Sequence, residues 1–277
     1  DVAITVSSHD ALKRLLSASR APKFHIKVDT GMHRQGFYLD DLPQIIKKLK
    51  TQNSKLKNRC EGIYTHFASA KDMNYPTFTD LQFHAFKKAV KLFSAAGFFR
   101  LTRHAAATGG ALISDEYHGD AVRIGIGLYG LWPSRELEAQ LTGNISFSPV
   151  LSWHSIVSEV KEIKKGDYVG YDLVERVFKP TTMAVVPIGY WHGFDRGLSG
   201  IGEVLINGER CRVLGRVSMD IIVVDATRAR PKSGDRVTII GTQGSHTIGA
   251  SELAGKLGTT HYEIVTRINP LIERILI

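Results

Sequence analysis

Apolar residues recur along this chain in two textures, and the change between them falls near the middle. In the first half, short apolar runs alternate with stretches whose apolar residues return every three or four positions. Val2–Val6 predicts a strand. Ser7 or Ser8 offers a helix cap, and Ala11, Leu12, Leu15 and Leu16 line one face of the helix that runs on toward Pro22. Phe24–Val28 predicts a second strand, and Leu42, Ile45, Ile46 and Leu49 mark a helix from about Asp40 to Lys50. A third strand is expected at Ile63–Phe67. Phe86, Ala89, Val90 and Phe93 then define a longer helix from about Thr79 to Ala96, with Gly97 as its stop. Phe99–His104 and Ala121–Tyr129 predict fourth and fifth strands around a short Ala-rich helix. Strand and helix in alternation imply βαβ units and a parallel sheet.

The texture changes between Trp132 and Ser148. Beyond it, strand-length segments are joined by turn signals: Lys164-Lys165-Gly166-Asp167, the hairpin dipeptide Asn207-Gly208, and Ser233-Gly234-Asp235. Strands are predicted at Thr182–Ile188, Gly202–Ile206, Arg212–Leu214, Ile221–Val224 and Arg236–Ile240. A helix near Ser251–Leu257 precedes Tyr262–Ile268. The expected architecture is α/β plus β, with domains at 1–138 and 139–277. A complete (β/α)8 barrel takes about 250 residues. Five strands in the first half therefore fit a small open sheet or a partial barrel.

Composition narrows the class. The chain is 43% hydrophobic and 23% charged, as soluble globular proteins are. No apolar run approaches the roughly 18 residues of a membrane span, and no signal peptide opens the chain, so a cytoplasmic location without a membrane partner is expected. Cys60 and Cys211 lie far apart without metal-site spacing, which predicts reduced thiols and no metal centre. The formal net charge of +9 raises nucleic-acid binding. Its basic residues are spread over both halves, however, and the densest runs fall on predicted helices. A solvated surface with some attraction for anionic ligands is the expectation, and no nucleic-acid partner. The chain opens on Asp1, directly before a strand, which suggests a fragment or a processed start.

Chemistry-bearing residues cluster at the ends of the predicted strands: Lys27, Asp29 and Arg34; Thr65 and His66; His104 and Thr108; Arg123 with Gly125. A lone histidine on an apolar strand is usually a satisfied core residue. Four successive strands with such residues are another matter, because parallel strands direct their ends to one face, where ligands bind. Gly125-Ile126-Gly127 can offer backbone N–H groups to an anion. In the second half, Pro187-Ile188-Gly189-Tyr190 and Gly215-Arg216-Val217-Ser218-Met219-Asp220 are turns, each ordinary alone.

Taken in order, these motifs resemble those of the alanine racemase family, pyridoxal-phosphate (PLP) enzymes of fold-type III with a barrel followed by a β domain. The resemblance rests on Lys27-Val28-Asp29-Thr30-Gly31-Met32-His33-Arg34, Tyr64-Thr65-His66-Phe67-Ala68, Arg103-His104-Ala105-Ala106 and Arg123-Ile124-Gly125-Ile126-Gly127-Leu128-Tyr129-Gly130. It continues through Ile188-Gly189-Tyr190, Gly215–Asp220 and Tyr262-Glu263-Ile264-Val265-Thr266-Arg267, and so covers essentially the whole chain. It implies interconversion of L- and D-alanine through a PLP aldimine by two bases, supplying D-alanine for peptidoglycan. It also implies a cytoplasmic homodimer whose active site is shared across the interface.

Residue by residue, the resemblance makes Tyr190 the base that takes the α-proton of L-alanine on the partner's cofactor. His66 and Arg123 would form a hydrogen-bonded chain with it, and Arg123 would also face the pyridine nitrogen. An arginine there stays protonated, leaving the ring a weaker electron sink and limiting side reactions. Thr108, the backbone of Gly125 and Ile126, and Tyr262 match the phosphate cradle. Arg34 matches the group that binds the cofactor's phenolic oxygen and the substrate carboxylate, and Met219 a backbone donor to that carboxylate. Lys27 matches a lysine that is often carbamylated and orients the arginine. Tyr171, Arg216 and Asp220 resemble residues lining the substrate entrance.

Three departures stand out. Ala107 replaces a usual asparagine before Thr108, and His192 replaces a usual aspartate after Tyr190. The family's Schiff-base lysine lies in a segment preceding everything present here, so an N-terminally truncated chain with about five of eight barrel strands, inactive alone, is expected. The other readings are a non-catalytic dimerisation or binding module built on the racemase fold, and a broad-spectrum or serine racemase.

Overall fold

A computed structural model describes residues 2–51 and 54–277 and divides the chain into two compact units, Asp1–Pro149 and Val150–Ile277. The first unit holds β1 (Ala3–Val6), α1 (His9–Ser17), β2 (Lys23–Lys27), α2 (Leu42–Thr51), α3 (Ser54–Lys57) and β3 (Cys60–Tyr64). α4 (Thr77–Ala95), β4 (Thr102–His104), α5 (Thr108–Ile113) and α6 (Arg135–Leu141) follow. The strands pair in parallel in the order β1-β2-β3-β4, as the alternation of strand and helix predicts. Ser8, of the two candidate caps, accepts the Ala11 N–H and starts α1.

Side chains alternate across this sheet. Phe24, Ile26 and Ile63 face the helices and pack with Leu12, Leu42, Ile45, Leu49, Phe86 and Phe93 in one core. The other face carries Thr5, His25, Lys27, Tyr64 and His104, brought into line by the registers Thr5↔His25, Lys27↔Tyr64 and Tyr64↔His104. This polar face ends at the candidate site.

One expectation changes here. Among the described residues the sheet has four strands, and Ala121–Tyr129, expected as a strand, contributes a single parallel bridge, Ala107↔Arg123. Past it the chain turns away at Gly125 (φ −111°, ψ −90°) and winds into a 3-10 turn, Ile126–Tyr129, ended by Gly130 in the left-handed region. The division between the two compact units falls after Pro149. Helix α6 is tied into the first unit by Ser134 Oγ on the Lys71 carbonyl and by Gln140, which bonds both Asp72 and the Met73 N–H.

The second unit contains β5 (Trp153–Ile156), β6 (Glu159–Ile163), β7 (Tyr168–Val169), β8 (Glu175–Arg176), β9 (Thr181–Val186), β10 (Glu203–Ile206) and β11 (Glu209–Leu214). β12 (Ile222–Asp225), β13 (Arg236–Gln243), β14 (His246–Ile248), α7 (Ala250–Leu257) and α8 (His261–Arg267) complete it. An antiparallel sheet runs β14-β13-β10-β11-β12-β9-β6, with β5 also on β13; β7 and β8 form a separate hairpin. Asn207 and Gly208, both at positive φ, close the β10–β11 hairpin as their sequence predicts. Val186, Ile188, Phe194, Val204, Val213, Val224, Val237 and Leu253 belong to its core.

Candidate functional site

The ends of β3 and β4 converge on one guanidinium. Arg123 NH2 donates to the carbonyls of Thr65 (2.8 Å) and Ala105 (2.9 Å) and to His66 Nδ1 (3.1 Å). NH1 donates to His104 Nδ1 (2.7 Å) and to the His104 carbonyl (3.3 Å). The planar fork of arginine suits this arrangement, which a lysine's single ammonium could not reproduce. The guanidinium carbon also lies 5.2 Å from the centroid of the Tyr64 ring.

A guanidinium can only donate, so both imidazoles present lone pairs at Nδ1 and carry their protons on Nε2. Electrostatics agree. Burial and then the Arg123 charge push His66 and His104 down from 6.5 to about 4, so both are neutral at neutral pH. Lys27, only 5% exposed, donates to Gln35 Oε1 at 3.3 Å. Its ammonium is pulled below its ordinary value by burial, then by Arg34 and Arg123. Asp29 does not neutralise these cations by contact. Its Oδ1 accepts the N–H groups of Gly31 and His33 and so builds the turn that leads to exposed Arg34. Burial raises the Asp29 carboxyl, and those backbone bonds more than offset it, leaving its pKa lowered.

Beside this cluster, Thr108 at the start of α5 accepts the Gly125 N–H (3.1 Å) and the Gly127 N–H (3.4 Å) on one hydroxyl oxygen. A Cβ at Gly127 would lie 2.8 Å from Thr108 Cγ2, whereas one at Gly125 would meet nothing within 4 Å. The turn therefore aims backbone donors at one oxygen and leaves open space over Gly125. Ile126 is buried beneath it. Ala107, the residue before α5, makes no side-chain cap bond.

The remaining candidates belong to the second unit. Tyr190 opens a 3-10 turn, Tyr190–His192, with its ring 44% exposed and its N–H on the Ser218 carbonyl. The Met219 carbonyl accepts the Trp191 N–H, so the two polar turns are laced together. Tyr190, Gly193, Asp195, Arg196 and Arg267 line a 540 Å³ hollow. His192 Nδ1 accepts the Gly189 N–H. Arg216 pairs with Asp172 at 2.5 Å, next to exposed Tyr171. Asp220 follows in the Met219 turn, and Tyr262, on α8, is raised above its ordinary value by burial.

Residues 1–133 match the family described as alanine racemase, N-terminal domain, and residues 150–276 match alanine racemase, C-terminal domain. The alanine racemase of Leptospira interrogans (serovar copenhageni, strain Fiocruz L1-130) is 38% identical over 99% of this chain and 71% of that protein. The chain belongs to the alanine racemase family. Among solved relatives, the Bacillus anthracis alanine racemase with bound L-Ala-P superposes with a TM-score of 0.85 at 34% identity, covering 97% of this chain and 69% of that one. The Bartonella henselae alanine racemase with covalently bound pyridoxal phosphate gives 0.82 at 28% identity, covering 99% and 72%. The alanine racemase architecture, a barrel-type N-terminal domain followed by a β domain, is thus the fold of this chain.

Within that family fold, sequence reasoning missed several supporting residues. Gln82, 1% exposed on α4, donates to the His66 carbonyl and Thr30 Oγ1 and accepts the Ala68 N–H. Tyr64 stacks on His104 at 4.7 Å, and His25 bonds His104. A polar glutamine on the buried stripe of an amphipathic helix was the available signal for Gln82.

Proposed function

We propose that this chain carries the PLP and substrate-binding machinery of an enzyme that interconverts L- and D-alanine, working as a homodimer in the cytoplasm and supplying D-alanine for peptidoglycan. The observation that carries the reading is Arg123, a permanent cation fixed by three carbonyls and two neutral imidazoles at the ends of parallel strands. Among the described residues no helix is long and apolar enough to cross a membrane.

The donor set suits a phosphorylated pyridine. Thr108, the backbone of Gly125 and Ile126, and Tyr262 would hold the phosphate; the open space over Gly125 supports this. Arg123 would face the ring nitrogen and, being unable to give up its proton, would leave that nitrogen unprotonated. Arg34 would hold the phenolic oxygen and, with the Met219 N–H, the substrate carboxylate. Bound PLP supplies an electron sink that acidifies the amino acid's α-proton.

The protein's own groups then manage that proton. His66 accepts from Arg123 at Nδ1, which leaves its Nε2–H to donate. That donor, polarised by the guanidinium, can hold the Tyr190 oxygen of a partner subunit while the tyrosine takes the α-proton of L-alanine. Tyr171, Arg216 and Asp220 would line the entrance, with Arg216 fixed by Asp172. The depressed ammonium of Lys27 favours the free amine that adds CO2, and a carbamate there would place an anion between Arg34 and Arg123. A mass increment of one CO2 on Lys27 supports that part, and an unmodified amine in the active enzyme refutes it.

Solvent-deuterium exchange at the α-carbon tests the whole reading. In the PLP-loaded enzyme, Tyr190→Phe should abolish exchange into L-alanine, while exchange into D-alanine, which would use the second base on the opposite face, persists. Equal retention in both enantiomers would remove Tyr190 from the chemistry.

A further inference from the structure

The polar face of the first unit's sheet holds a group that no step above uses. His25 lies on β2, one strand away from the site-bearing ends of β3 and β4. Its Nδ1 is 3.0 Å from His104 Nε2, with the rings tilted by 57°. The imidazole can reach across β3 because its register partner there is Gly62. A Cβ at Gly62 would lie 2.5 Å from His25 Nδ1 and 2.6 Å from its Cε1. His104 is pinned from the side by Tyr64, which stacks on it at an interplanar angle of 7° and bonds Thr5 Oγ1 through its hydroxyl.

The direction of these hydrogen bonds follows from Arg123. NH1 donates to His104 Nδ1, so a neutral His104 keeps its proton on Nε2. That proton points at His25 Nδ1, which must then accept it and carry its own proton on Nε2. The chain therefore runs from the guanidinium through His104 to His25. Without the acceptor at His25, the Nε2–H of His104 would face a partly buried space unmet. The competing tautomer, with the proton on Nδ1, would aim a donor at the donors of Arg123. A buried donor left unmet costs about 1–3 kcal/mol, which favours a turn of the His104 ring that meets the donor elsewhere; once Nδ1 has left Arg123, the guanidinium no longer fixes the tautomer.

We propose that His25 is a positioning residue which, by accepting the His104 Nε2 proton, locks the His104 tautomer that holds the Arg123 guanidinium in place. The role assigned to Arg123 at the ring nitrogen rests on the function proposed above; the tautomer lock itself does not, and its test needs no substrate.

The test is the nitrogen NMR of 15N-histidine-labelled protein, with the His104 signals assigned through a His104→Gln variant. In the unaltered protein His104 should show a protonated Nε2, an unprotonated Nδ1 and no minor form. His25→Phe keeps an aromatic ring but removes the acceptor, and should turn His104 into a mixture of tautomers. His25→Asn returns an oxygen acceptor near the Nδ1 position and should restore the single form. Hydrogen exchange in β3 and β4 reports whether each variant stays folded. If His25→Phe unfolds, Gly62→Ala, which displaces the imidazole without removing a polar group, replaces it with the same expected outcome. A single Nε2–H tautomer that survives loss of the His25 contact would overturn the proposal, as would a proton on His104 Nδ1 in the unaltered protein.

Discussion

Replacing Arg123 by methionine removes the guanidinium while keeping an unbranched side chain of similar reach. The five donated bonds, at 2.7, 2.8, 2.9, 3.1 and 3.3 Å, vanish together. The Thr65 and Ala105 carbonyls belong to residues only 1% exposed, and both lose the donor they now have. An unmet buried acceptor costs about 1–3 kcal/mol, so two cost about 2–6 kcal/mol. Loss of the repulsion between Arg123 and Lys27, together with water entering the gap, offsets part of this. A net loss of about 2–4 kcal/mol is expected, among the larger effects of single substitutions. In urea this should lower the first unit's midpoint by about 1 M, taking a slope of about 2–3 kcal/mol per molar. Hydrogen exchange in peptides from β2, β3 and β4 reads that unit separately. A second signal comes from the histidines: with the Arg123 charge gone, His66 and His104 should titrate upward from about 4 toward 6.5. An unchanged midpoint and unmoved histidines would refute the picture of Arg123 as the fixed centre of these strand ends.

Further outcomes follow from the same geometry. His66 and His104 titrate near 4 in the folded chain and near 6.5 when unfolded, so between those values the unfolded state binds more protons. Stability should therefore fall as pH drops from 6.5 toward 4, and urea midpoints that rise on acidification through that window would contradict the neutral assignment. Gly109→Ala should destabilise the first unit by about 1–3 kcal/mol or more, because its Cβ would lie 2.0 Å from the Ala70 carbonyl oxygen. Gly125→Ala should leave the melt unchanged, since that Cβ meets nothing within 4 Å, yet weaken PLP binding by filling the space over the turn. Calorimetric titration with PLP checks this pair, and undiminished affinity in Gly125→Ala would remove the turn from the phosphate site.

What could be read from the chain follows the range of the forces involved. Phe24, Ile26 and Ile63 announce strands because one face of the sheet is wholly apolar, and Asn207-Gly208 announces its hairpin because the turn demands positive φ at both residues. Arg123 and His66 were legible as polar residues at strand ends, although not the carbonyls that hold the guanidinium. The run Ala121–Tyr129 misled: its apolar residues fit a strand, but past Gly125 the backbone winds into a 3-10 segment that Gly130, in the left-handed region, ends. β5, β6 and β14 gave weak signals because they are short or half-exposed and owe their conformation to partners distant in sequence. Tyr262–Ile268, undecided by pattern, falls mostly on helix α8. His25 was invisible for a different reason. Its neighbour His104 is 79 residues away, and only the register of β2 on β3, with glycine at position 62, lets the rings meet.

The most direct test of the account is the protonation state of the cofactor's ring nitrogen. PLP labelled with 15N in the ring, bound to the enzyme, should show an unprotonated nitrogen at neutral pH. Arg123→Glu, which puts a carboxylate where the guanidinium stands, should convert it to the protonated form. A nitrogen already protonated in the unaltered enzyme would contradict the claim that Arg123, held as a permanent cation by strand-end carbonyls and neutral histidines, governs the chemistry of this site.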